Sequence, residues 1–263
     1  MTTLTASIVA CGPGSVLHRT VLASLPNSYR VVEGAADIVL VSGTDPTVAE
    51  RAVARGARAV VLDQPGALSL EELMALENIA DQHGCIVVPA PRYAPRFDGA
   101  TDLVDAESID LVESTITSPQ PSRSAMVEQL ALMRQVLGSV ATLRVLHSSG
   151  SHFVAEATMV DHPRAHVVLN GVTSRDDVEE VSLRAIGVDR HLSVRIDAGT
   201  LARPADISVF DDRGRQSPWP LHQHAHRITL TFLHRMLTTV DGFVSYPIEQ
   251  LRQDVARANA LTD

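Results

Sequence analysis

Lysine is absent. All 22 basic residues among the 263 are arginine, so apart from the N-terminus the chain has no amino group for a Schiff base or for acid-base work. Cysteine is almost absent: Cys11 and Cys85 sit at the ends of apolar strand-like runs. That placement reads as two buried thiols rather than a disulfide and fits a reducing cytoplasm. No apolar run approaches the roughly 20 residues of a membrane span. The opening MTTLTASIVACGPG runs straight into a strand without a basic stretch, so neither a signal peptide nor a membrane association is expected. Positive charge is in deficit as well, with 31 acidic residues against 22 basic ones and a net charge of −9. A nucleic-acid backbone is therefore not the expected partner.

What is present is an ordinary globular composition, 45% hydrophobic and 20% charged, long enough for a sizeable core in one or two domains. The first half alternates two kinds of segment. SIVAC (7–11), DIVLVSG (37–43), AVVLD (59–63) and CIVVPA (85–90) are near-continuous apolar strands. Between them lie helix signals: a stretch from about Val16 to Leu25, a second that begins at Asp45-Pro46 and ends near Gly56, and a third that Ser69 and Glu72 open as a capping box and Gly84 closes. Fully apolar strands separated by amphipathic helices predict a parallel sheet covered on both faces.

The pattern changes near residue 113. SPQPSRS (118–124) is polar, and a helix from about Ala125 to Leu137 ends at Gly138. ATLRVLHS, HFVAEATMV, AHVVLNGV, EVSLRAIG, HLSVRIDAG and ADISVFDDRG follow, separated by Gly, Asp and Pro turns, which predicts a mostly antiparallel sheet. Helices around 222–240 and 247–260 close the chain. The expected fold class is α/β: a shortened Rossmann-like domain over 1–113, then an α+β domain with an open sheet over 114–263.

This plan resembles the glucose-fructose oxidoreductase and inositol dehydrogenase (Gfo/Idh/MocA-type) family over most of the chain. The landmarks are the glycine turn at 12–14, the loop Ser42-Gly43-Thr44-Asp45-Pro46, the Asp63-Gln64-Pro65 turn with SLEEL behind it, Arg92-Tyr93 after the fourth strand, and MRQVLGSV at 133–140. The resemblance implies an NAD or NADP cofactor held by Gly12, Pro13, Gly14 and Ser15, by Ser42, Gly43 and Thr44, and by Asp63 and Pro65. It also implies a sugar- or polyol-like ligand near Arg92 and Tyr93, and packing of the exposed face of the second sheet against another subunit, in a homo- or hetero-oligomer.

The positions that carry the family's chemistry are changed. Gln64 stands where its Glu-Lys-Pro motif has the catalytic lysine. The usual His and Asp lie ten and seven residues before the glycine that ends the helix, which here gives Glu128 and Ala131. Glutamate can act as a general base when burial raises its pKa, but Ala131 leaves nothing to orient it, and Glu128 and Gln129 read more simply as a wet helix face. At the fingerprint turn, Leu17 takes the third glycine's place and Pro13 removes an amide donor. The family's second strand and helix shrink to SYRVVEGAA (28–36), where Arg30–Glu33 form at most a remnant strand and Glu33 reads as a solvated loop residue rather than a ribose ligand.

Outside that frame, LHQHAHR (221–227) is the densest ionisable run. His222, His224 and His226 share one face of an extended chain, and His222 and His226 pair at i, i+4 on a helix. Either spacing suits a divalent metal given a carboxylate from elsewhere, one of the three could substitute as an acid-base group, and a polar helix N-terminus is the plainer reading. Arg92, Arg96 and Tyr93 follow the fourth strand at the edge where open α/β sheets bind ligands. An arginine there can hold a carboxylate or phosphate or form a structural ion pair. Two functions remain open. One is an NAD(P)-dependent oxidoreductase in which Gln64 positions substrate and Glu128 or a histidine of the run moves the proton. The other is a non-catalytic relative kept for ligand sensing, scaffolding or pairing with a competent subunit.

Overall fold

The computed structural model describes residues 2–10, 13–42, 45–93, 109–175, 179–197, 205–217, 225–239 and 246–261. They divide into two units. The first takes the chain up to Arg92 together with 225–256, and the second takes 93–217 together with 257–261. The linear division into 1–113 and 114–263 is thus not how contacts group: the chain changes unit after Arg92, and most of its C-terminal segment returns to the first unit.

In the first unit, β1 (Leu4–Ala10), β2 (Tyr29–Val31), β3 (Ile38–Ser42), β4 (Ala59–Asp63) and β5 (Ile86–Ala90) form one parallel sheet in the order β2-β1-β3-β4-β5. Every residue of β4 is buried, as a strand covered on both faces requires. The helices are α1 (Pro13–Ala23), α2 (Pro46–Ala54) and α3 (Leu70–His83). Their ends are set by local chemistry. The Asp45 side chain accepts the Thr47 amide at the start of α2, Ser69 and Glu72 form the reciprocal capping box of α3, and Gly84 closes α3 at φ 62, a left-handed conformation that glycine adopts without steric cost. β2 is three residues long, and 32–37 run directly into β3 with no helix between. That connection is held by Asp37, whose carboxylate accepts the Thr5 amide at 2.8 Å and the Thr5 hydroxyl at 2.6 Å.

α5 (Ala225–Thr238) belongs to this unit because it finishes the core. Leu230 and Leu233 join Leu22, Tyr29, Ile38, Leu40 and Val61 in one buried cluster. The Tyr29 hydroxyl donates to the Leu230 carbonyl at 2.6 Å. α6 (Ile248–Ala258) follows, and Arg252 on it pairs with Glu77 of α3 at 2.6 Å.

The second unit is built on an eight-stranded sheet: β6 (Ile109–Ser118), β7 (Val140–Ser148), β8 (His152–Met159), β9 (His166–Thr173), β10 (Glu180–Gly187), β11 (His191–Asp197), β12 (Asp206–Asp211) and β13 (Gly214–Gln216), ordered β13-β12-β11-β10-β6-β9-β8-β7. β6 and β9 pair in parallel and all other neighbours are antiparallel. Side chains alternate along each strand. Val112, Ile116, Phe153, Leu169, Leu183 and Val194 are buried on the face that carries α4 (Ser122–Leu137). The opposite face bears the pairs Arg144–Glu156, Arg184–Glu113 and Arg195–Glu180, with Val172 exposed among them.

Candidate functional site at the carboxyl edge of the first sheet

Each strand of a parallel sheet ends at the same edge, and loops and helix N-termini converge there. Ser42, Asp63 and Ala90 lie in one row across β3, β4 and β5 as their terminal residues. Asp63 is 2% exposed, and its carboxylate gathers four side chains. The Ser42 hydroxyl donates to Oδ2 at 3.3 Å. His226 Nε2, at 3.0 Å from Oδ1, donates to it, because an ionised carboxylate can only accept. His18 Nε2 lies 3.6 Å from Oδ2 and Arg92 Nε 3.7 Å from Oδ1.

The electrostatics follow from this crowding. Burial by itself raises the Asp63 carboxyl, but the charge and hydrogen bond of His226, then Arg92 and His18, outweigh it and hold the group well below the usual carboxylate range. His18 moves the other way for an imidazole. Burial first, then His226 and Arg92 against the pull of Asp63, lower it to about 4, so at neutral pH it is uncharged with a free lone pair. His18 is 0% exposed, and neither ring nitrogen has a hydrogen-bond partner among the described residues. A buried, unsatisfied polar group of this kind costs about 1–3 kcal/mol.

Each element delivers its residue for a local reason. β4 ends at Asp63 because the next residue, Gln64, turns left-handed at φ 54, ψ 51, the only non-glycine with positive φ among the described residues. Pro65 and Gly66 then bury in a short 3-10 turn, Pro65–Ala67. His18 occupies the apolar stripe of α1 with Val21 and Leu22, at i, i+3 and i+4, and so points inward. His226 is the second residue of α5, and Arg92 follows β5 by two residues.

Of the residues singled out in the sequence, the structure brings together Ser42, Asp63, Arg92 and His226, with Gln64 and Pro65 flanking. Pro13, Gly14 and Ser15 form the first turn of α1. Gly12, Gly43, Thr44, Arg96, His222 and His224 lie outside the described residues. Glu33 is exposed on the 32–37 connection. Glu128 and Tyr93 make a contact of their own inside the second unit, where the Tyr93 amide donates to the Glu128 carboxylate at 3.3 Å. The wet helix face expected there is corrected: Glu128 is 2% and Gln129 0% exposed. α4 is buried continuously from Ser124 to Met133, and Gln129 donates to Ser114 Oγ and the Asn170 carbonyl. Cys85 is a buried free thiol, as its strand-end position predicts. The sequence reading missed His18. The usable signal was a histidine in an apolar helical stripe, one residue past the fingerprint turn.

No protein-family model matches the sequence, and no curated protein matches it. Solved structures do match along nearly the whole chain. An oxidoreductase from Sinorhizobium meliloti is 13% identical and superposes with a TM-score of 0.77, covering 100% of this chain and 97% of that one. UDP-N-acetylglucosamine 3-dehydrogenase GnnA from Acidithiobacillus ferrooxidans is 14% identical, with a TM-score of 0.75 over 99% and 97% of the two chains. The WlbA dehydrogenase from Bordetella pertussis, solved in complex with NADH and UDP-GlcNAcA, is 13% identical, with a TM-score of 0.73 over 100% and 97%. At such identities the agreement is one of backbone architecture. The chain has the fold of the Gfo/Idh/MocA-type oxidoreductases.

Proposed function

We propose that the protein is a divergent oxidoreductase that binds NAD or NADP at the N-terminus of α1 and acts on a sugar- or polyol-like ligand at the carboxyl edge of the first sheet. The observation that carries this reading is the buried Ser42–Asp63–His226–His18–Arg92 cluster. A perturbed, charged constellation at the edge where open α/β sheets take ligands is hard to justify by packing alone. The fold's agreement with dehydrogenases, one of them solved with NADH and a nucleotide sugar, supports the choice of ligand class.

The residues present fit the phosphate end of a dinucleotide. β1 ends at Ala10 and α1 begins at Pro13, so the free amides of the first helical turn face that edge, with one donor removed at Pro13. Leu17 fills the third glycine's place by packing against the first unit's core. When bound, the nicotinamide accepts or gives the hydride, and the protein has to supply orientation and a charged or proton-carrying group beside the reacting oxygen. Gln64 cannot carry a proton or a charge. Glu128 is already engaged by the Tyr93 amide. Among the described residues, the polar cluster around Asp63 is the group placed to fill that role, with Arg92 placed to orient anionic or hydroxyl groups of the ligand.

One observation favours a second reading, a non-catalytic partner subunit: the 32–37 connection leaves no strand–helix unit to frame an adenosine ribose, and Glu33 is solvent-exposed. Calorimetric titration with NADH and NADPH separates the two. Micromolar binding, about −8 kcal/mol, is the expected result. No heat at millimolar cofactor sinks the dehydrogenase reading and leaves the first unit as architecture. The outer face of the eight-stranded sheet is the proposed assembly surface, so the same preparation should size as an oligomer. A monomer at all concentrations would remove that assignment.

A further inference from the structure

We infer that His18, Asp63 and His226 form a binding site for a divalent transition-metal ion of the zinc type. The inference depends on the reading above only for its consequence, a fixed positive charge beside Gln64. The site itself stands on the geometry of the first unit.

Three observations lead to it. First, the three side chains come from three elements, α1, the end of β4 and the start of α5, yet one ligand atom from each lies within 4.8 Å of the others. Tetrahedral ligands at zinc-type bond lengths sit about 3.4 Å apart. His226 Nε2 lies 3.0 Å from Oδ1 and His18 Nε2 3.6 Å from Oδ2, on either side of that value, so closing on one ion takes a rotation of the carboxylate and an inward shift of the two imidazoles. Second, His18 is completely buried with both ring nitrogens unpartnered among the described residues. Its Nε2 faces Asp63 from just beyond hydrogen-bond range. A metal ion is the partner that satisfies such a lone pair without needing room for a hydrogen-bonded network. Third, the carboxylate already accepts a hydrogen bond from the Ser42 hydroxyl at Oδ2, the kind of outer contact that holds metal-binding carboxylates in place.

The donor set decides the ion class. Two imidazoles and one carboxylate suit Zn²⁺, Co²⁺ or Ni²⁺, whereas Mg²⁺ and Ca²⁺ want oxygen ligands throughout. Arg92, 3.7 Å from Oδ1, shares the carboxylate and pushes the same way, because it weakens a site that would rely on carboxylate charge alone. The proton balance is simple. His226 now donates from Nε2 to Asp63. On binding, the Nε2 proton is displaced to solvent and the Nε2 lone pair turns to the ion, while His18 contributes its own lone pair. Asp63 stays ionised throughout. Three protein ligands leave a fourth position for water or a ligand oxygen, as in open zinc sites.

Chelator-stripped full-length protein should be titrated with Co²⁺ and followed by its visible ligand-field bands, with Zn²⁺ displacement as a second reading. The expected result is one ion per chain with intense, low-symmetry bands. His18→Gln, which keeps a polar group of similar reach, should weaken Co²⁺ by at least about 100-fold, with circular dichroism showing that the chain remains folded. A double variant at the exposed hairpin, His147→Ala with His152→Ala, should leave binding unchanged. Three outcomes overturn the inference: no Co²⁺ bands in the wild type, binding that survives His18→Gln, or binding that His222→Ala with His224→Ala abolishes while His18→Gln spares it. NADH titration of the metal-free protein is a separate readout. Cofactor binding without Co²⁺ binding rejects the metal site alone, and the reverse rejects the dehydrogenase reading alone.

Discussion

Gly171 shows how a single residue can be fixed by one neighbour. It sits in β9 opposite Phe153 of β8, and a Cβ built there would lie only 2.0 Å from the nearest Phe153 ring carbon. The ring packs this close to the strand because the glycine has no side chain to exclude it. Gly171→Ala should therefore destabilise the chain by about 1–3 kcal/mol through overpacking, read as a lowered urea midpoint. Adding Phe153→Leu should recover part of the loss. A midpoint unchanged by Gly171→Ala would mean that the ring moves freely and that this packing account is wrong. Residue-level legibility in the sequence was uneven for the same kind of reason. The missing lysine, Gln64 in its place and the weakened fingerprint at Leu17 are visible without coordinates because they are substitutions within a motif. The partnership of His18 with Asp63 and His226 spans 208 positions from His18 to His226 and depends on how α5 returns to α1, which no local pattern encodes.

Among the elements, the 32–37 connection is the most consequential, because it replaces a strand and a helix by one short crossing. Asp37 anchors it to β1. Its carboxyl is held below the ordinary range chiefly by the Thr5 hydroxyl, against a smaller contrary effect of burial, and then by the Thr5 amide and Arg58. A depressed carboxyl contributes stability that is present above the unfolded-state value, near 3.9, and lost as pH falls through the lower folded-state value. The wild type should thus lose stability on acidification through this range more steeply than Asp37→Asn, which should be less stable at pH 7 and flatter below pH 4. Parallel pH slopes for the two proteins in urea denaturation would reject Asp37 as the anchor. The shortness of this crossing was legible from residue counting alone, and so were β4, the α3 capping box and six of the later strands. β6 escaped: IDLVESTITS alternates cleanly, but it lies beside the polar SPQPSRS stretch and pairs with β9 in parallel, across an intervening helix and two strands.

At the scale of the molecule, the chain closes on itself. Its first unit is incomplete until residues more than 130 positions downstream of Arg92 return to it. α5 supplies Leu230 and Leu233 to the core, accepts the Tyr29 hydroxyl at Leu230 and the Arg58 guanidinium at the Leu237 carbonyl, 2.8 Å away, and sets His234 Nε2 against the Thr2 carbonyl, also at 2.8 Å. Each buried leucine contributes about 1.5–3 kcal/mol, against a total stability for typical domains of roughly 5–15 kcal/mol. A parallel sheet stripped of that helix would expose one face of its core and leave the Tyr29 hydroxyl without its acceptor. The division at residue 113 that the sequence pattern suggests should therefore fail as a cut. A fragment of residues 1–113 is expected to show no cooperative urea transition by circular dichroism, whereas the same fragment carrying residues 218–256 on a flexible linker should regain one. If 1–113 alone unfolds cooperatively at the midpoint of the linked form, α5 is a passenger rather than part of the first unit's core. The cluster at Asp63 would then lose the element that fixes His226.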